Sequence, residues 1–154
     1  MKVSPKFIVV ALLVAILGFL TEAHGPFGTF WAPAPDMPTP VGGQIPLFMF
    51  LGVAEALALG VSVSFLLFGY SGLKMETVSP SLARAAHLSI VWLLGNWWAH
   101  DSLHQHIGMN LNGLLRIEYG FHITLIIAGL TLVRFFLALT RVPNAKPEAA
   151  LAAR

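Results

Sequence analysis

Chemistry in this sequence is concentrated in a short run, His100-Asp101-Ser102-Leu103-His104-Gln105-His106. If a helix continues through residue 104, His100 and His104 are four apart and project from the same face. Two imidazoles so spaced can share one metal ion. Glu118 and His122 repeat the four-residue spacing further along. Two antiparallel helices joined by a short connection would bring these side chains to one depth. His100, His104, His122 and Glu118 then fill a four-coordinate site. Asp101, His106 and His24 are further candidate ligands, or hydrogen-bond partners that orient the ligands. Asn96, one turn before His100, is a candidate donor of the same supporting kind.

Ligand softness narrows the metal. The chain has no cysteine, which removes thiolate sites, iron–sulfur clusters and disulfides. Imidazole with a carboxylate suits a divalent ion, with copper favoured over zinc or iron. Met37 and Met109 could still offer a thioether. Haem b is the lower-ranked alternative, held by His100 or His104 on one side and His122 on the other. Trp92, Trp97 and Trp98 would suit a macrocycle. A di-iron carboxylate bundle is excluded, because it wants several glutamates in a Glu-x-x-His pattern and this chain has Glu118-x-x-x-His122. The plain alternative is that these groups are interfacial polar residues bonded to loops and lipid headgroups.

The elements that must position these residues follow from composition. Of 154 residues, 56% are hydrophobic and only 10% charged, against about a quarter charged in soluble domains. A net charge of +2 gives no reason to expect nucleic acid as a partner. The partner expected first is the lipid bilayer. A spanning helix needs about 20 mainly apolar residues, and four segments meet that need: about 7–23, 45–70, 82–103 and 119–141. With the N-terminus in the cytoplasm, Lys2, Lys6, Lys74, Arg84, Arg141, Lys146 and Arg154 fall inside and only Arg116 outside. That is a positive-inside bias. The fold class expected is an all-α integral membrane protein, a four-transmembrane-helix bundle with both termini cytoplasmic. It forms a single membrane domain over residues 1–154, multi-pass, in a bacterial or archaeal plasma membrane. On this topology five of the six histidines lie at the outer end, and only His87 does not.

The first segment carries a second reading. Lys2 and Lys6, an apolar run and Thr21-Glu22-Ala23 also resemble a secretory signal peptide. Cleavage after Ala23 would leave three spans and make His24 an N-terminal residue with both amine and imidazole. The outer loop at 24–44 holds most of a 23-residue stretch containing six of the ten prolines, which predicts an extended cover anchored by Phe27, Phe30 and Trp31. Residues 105–118 are too short to span and read as a turn or lid, and 142–154 as a polar tail.

Gly52, Ala56, Gly60 and Ser64 form a small-residue stripe that lets helices approach closely. Gly120, Thr124 and Ala128 form a shorter one. Glu55, His87 and Arg134 lie deeper, about 15–20 Å from the outer helix ends at 1.5 Å per residue, where a Glu55–Arg134 pair would neutralise itself.

The function expected from all this is a small membrane protein with an outer metal site, serving as a subunit of a metalloenzyme or redox complex. Its partners would be other membrane subunits or further copies of itself. A non-catalytic assembly subunit without metal is the alternative, and a bis-histidine haem b cytochrome a further one. The outer histidines and carboxylates are similar in kind to the copper site in the membrane subunits of methane and ammonia monooxygenases. The spacing departs from that pattern, since Asp101 stands three residues before His104 rather than four, and no residue role is carried over.

Overall fold

The computed structural model describes residues 4–140. Every regular element in that range is helical: α1 Pro5–Thr21, α2 Gln44–Phe68, α3 Pro80–Ile107 and α4 Leu111–Leu139, with single 3-10 turns at Gly28–Trp31 and Tyr70–Leu73. Two of the four, α2 and α4, are long and apolar enough to cross a membrane. Helices α1 to α3 lie within a few residues of the segments expected from hydropathy. The Pro-rich loop is not the extended cover expected: besides its 3-10 turn it is folded by hydrogen-bonded turns, among them Gly25 N–H to the Glu22 carbonyl and Met37 N–H to the Ala34 carbonyl.

The helix ends follow local chemistry. Proline opens α1 and α3, where its missing N–H costs nothing and its φ is already helical. Ser79 caps α3 by accepting a hydrogen bond from the Leu82 N–H at 3.3 Å. Gly108 ends α3 at φ +62°, in a region that suits glycine. Asn110 then caps α4, its Oδ1 accepting from the Gly113 N–H at 2.9 Å. The expected connector at 105–118 is therefore only a three-residue break. Its Asn and Gly residues read as helix breakers, but Asn110 starts the next helix and Gly113 sits within its first turn.

That early start has a consequence. Helix α4 has 29 residues, about 43 Å at the α-helical rise. Arg134 is then five residues from the end of α4, about 8 Å, rather than deep in the span. It is exposed, and a long basic side chain at such a position can reach the interface.

The helices pack in a row. Helix α1 lies on α2, α2 on α3, and α3 on α4, with no substantial packing of α4 on α1 or α2. The compact closed bundle expected from sequence is thus an open layer. The Glu55–Arg134 pair is not made, because α2 and α4 lie on opposite sides of α3.

The α1–α2 seam is the tightest. Ala56, Gly60 and Ser64 are buried against α1. A Cβ on Gly60 would collide with the Ala11 carbonyl, and Ser64 Oγ donates to the Phe7 carbonyl at 2.9 Å. Across the α2–α3 seam, Ser62 Oγ donates to the Val91 carbonyl at 2.7 Å. His87 Nε2 donates to the Phe65 carbonyl at 2.9 Å, with the rings of Phe65 and Tyr70 packed on the imidazole. Its role is structural, a bonded histidine between helices.

These contacts define two ends. At one, Val78, Ala83, Ala86, Phe135 and Ala138 form an apolar core, with Lys6, Lys74 and Arg84 on the neighbouring segments. At the other, the last turns of α3 meet the first turns of α4, and the loop after α1 folds over them. Ala34 N–H donates to the Gln105 carbonyl at 2.9 Å.

Candidate metal centre

Helix α3 stays regular to Ile107, so His100 and His104 share the face turned to α4, with ring centroids 4.5 Å apart. Because α4 begins at Leu111, its second and third turns bring Glu118 and His122 opposite them. The Glu118 carboxylate bridges two imidazoles. Its Oε1 accepts from His104 Nε2 at 2.9 Å, and its Oε2 accepts from His122 Nδ1 at 2.8 Å.

One ligand atom from each of His100, His104 and Glu118 lies within 4.8 Å of the other two. Ligands about 2.0–2.1 Å from a tetrahedral ion stand about 3.3 Å apart, so small side-chain rotations close the set around a cation. His100 Nε2 is buried and has no hydrogen-bond partner. A buried nitrogen left unsatisfied costs about 1–3 kcal/mol, and a cation within this group would remove that cost.

His122 joins through Glu118. Its ring is 5.9 Å from that of His100, and its Nδ1 is also 2.9 Å from the Glu118 backbone carbonyl. With Nδ1 protonated in this way, His122 orients the carboxylate from behind, which is how outer partners fix a ligand. Phe121 packs edge-on against His100 at 4.9 Å and closes the side towards the helix middle. The spacing of α4 pointed to Phe121, three residues after Glu118, but its apolar character masked it as a site residue.

The other sequence candidates are placed elsewhere. Asp101 turns about 100° round α3 from His100, accepts from Gln105 Nε2 at 2.6 Å, and bears electrostatically on Glu22 and Glu55. His106 is exposed, its Nδ1 donating to the Ala32 carbonyl at 3.1 Å beside Trp31. His24 is exposed and sits edge-on to Phe48. Asn96 is buried and donates to the Trp92 carbonyl, leaving Oδ1 without a partner. Asn110 serves as a helix cap.

A cavity of about 370 Å³ reaches the centre from the helix break, and His104 and Glu118 form part of its wall. Two of the three residues that could hold an ion, His104 and Glu118, face this cavity, so a three-ligand site here would leave one position for an outside ligand, the arrangement of sites that exchange or activate what they bind. The same geometry disfavours haem. Glu118 fills the space between His104 and His122, and Phe121 lies on His100, so a porphyrin between these rings would have to displace both.

No known protein family, curated protein or solved structure matches the chain. What the site does has to be read from its own residues.

Proposed function

We propose that this chain is a small multi-pass membrane protein that binds one divalent metal ion through His100, His104 and Glu118, with His122 holding Glu118. The observation that carries the reading is the buried, unpartnered Nε2 of His100 within a group of two imidazoles and a carboxylate. Copper is favoured over zinc and iron, because two imidazoles and one carboxylate suit it and two thioethers stand nearby. The ion takes the place at His104 Nε2 that the N–H now holds toward the Glu118 carboxylate.

The membrane setting is part of the proposal. Large apolar side chains are exposed along α1, α2 and α4, a surface that water does not tolerate on a monomer. Four spans with cytoplasmic termini put Lys6, Lys74 and Arg84 inside and the metal centre at the outer face. An outer site with an open position suits a subunit of a membrane metalloenzyme or redox complex.

Two experiments test this. Metal analysis and an absorption spectrum on detergent-purified protein should give about one ion per chain in wild type and none in the His100→Ala/His104→Ala variant. Absence of both metal and a Soret band after reconstitution would overturn the metal reading. A Soret band would replace it with haem. Topology is open to single-cysteine labelling, since the chain has no cysteine of its own. Thr39→Cys should react with an impermeant reagent from outside, and Ser81→Cys only after permeabilisation. Labelling of Ser81→Cys in sealed cells would reverse the orientation.

A further inference from the structure

The cavity beside the centre has two thioethers in its wall, Met37 from the loop after α1 and Met109 from the helix break. They come from segments 72 residues apart in sequence, which several contacts hold together, Ala34 N–H to the Gln105 carbonyl and His106 Nδ1 to the Ala32 carbonyl among them. Asp36, next to Met37, accepts a hydrogen bond from the Met109 N–H at 3.2 Å. Gly108 makes this possible, because its φ of +62° turns the chain and a Cβ there would collide with the Asp36 carboxylate. The Asp36 carboxylate thus ties Met109 to the segment that carries Met37, and His104 and Glu118 lie in the same cavity wall.

Thioethers are soft, neutral donors. They bind cuprous ion and discriminate against zinc, magnesium and calcium. The rest of the cavity wall is apolar, Leu111, Leu114 and Leu115, which favours a singly charged ion over a divalent one on desolvation grounds.

We propose that Met37 and Met109 form an entry site for cuprous ion, which passes from the two thioethers to His104 and then into the histidine centre. The proposal rests on that centre as the destination. Transfer is ligand exchange: each copper–sulfur bond breaks as a copper–nitrogen bond forms, the thioether keeps its lone pair, and copper stays cuprous during the transfer; reaching the divalent form in the histidine centre then takes the loss of one electron to dioxygen as oxidant.

The test uses the full-length protein in detergent with silver(I), a redox-inert ion of the same charge and softness, and zinc(II) as the divalent probe. Methionine methyls labelled with carbon-13 report contact directly. Silver(I) should shift the Met37 and Met109 methyl signals and leave Met49 and Met75 unchanged. Met37→Leu/Met109→Leu, which keeps the apolar volume, should lose about tenfold or more in silver(I) affinity while binding zinc(II) as wild type does. Loading of the histidine centre from a cuprous chelate should slow by a similar factor in that variant, with the same final occupancy. Unshifted Met37 and Met109 signals, equal silver(I) affinity or an unchanged loading rate would overturn the entry site. Loss of zinc(II) binding in wild type, with the silver(I) response intact, would instead remove the histidine centre and leave the thioether site standing.

Discussion

The α1–α2 seam and the α3–α4 junction at the candidate metal centre are built on opposite terms. In the first, a Cβ added at Gly60 would meet the Ala11 carbonyl, and Ser64 Oγ bonds directly to the Phe7 carbonyl. In the second, imidazole and carboxylate side chains bond to one another beside an open cavity. Close packing gives rigidity and leaves no room for chemistry. The polar junction keeps space and an unsatisfied nitrogen, both of which a ligand can use, and leaves the other contacts to hold the fold.

That contrast is broken most severely at Gly60. Gly60→Leu should push α1 off α2 and cost about 3 kcal/mol, seen as a lowered denaturation midpoint in detergent, with folded protein recovered poorly. An unchanged midpoint would show that α1 is not seated on the stripe. Next in size, His100→Ala/His104→Ala should abolish stoichiometric metal while leaving the midpoint of the metal-free protein close to wild type. A large fall in that midpoint would mean that the histidines hold the fold, making the two regions alike. His122→Ala should keep the ion but weaken it about 10–100-fold, measured by competition with a chelator. A complete loss of metal would promote His122 to a direct ligand. The smallest effect belongs to Asp101→Asn, which preserves an acceptor for Gln105. It should leave metal content unchanged and shift stability by about 0.5 kcal/mol or less.

Periodicity made the i, i+4 pairs visible, and with them the depth match between His100, His104, Glu118 and His122. Hydropathy located α1, α2 and α3 well, because proline, serine and glycine mark their ends. The beginning of α4 was not legible in the same way. Asn110, Asn112 and Gly113 have the composition of a loop, and only the capping bond from Asn110 shows that a helix starts there. Nor did the sequence distinguish an open row from a closed bundle, since small-residue stripes report that helices touch but not which pairs do so. That is why Glu55 and Arg134, plausible partners by depth, are separated by α3. His106 and His24 were credible ligands for a similar reason: nothing in their spacing says that the loop carrying Trp31 takes up His106, or that His24 faces Phe48.

The row has a further consequence, in the timing of synthesis. Each helix rests chiefly on the one made just before it, so packing can keep pace with the emerging chain, N-terminal elements first. Contacts of short sequence separation also form fast. The candidate ligands, however, are divided between the third and fourth helices, and the cavity wall needs the turn that joins them. Until α4 is made, His100 and His104 have no Glu118 to complete the set. On the proposed metal reading, an ion would therefore be held only after the first three helices have packed, so metallation would follow their packing rather than nucleate it.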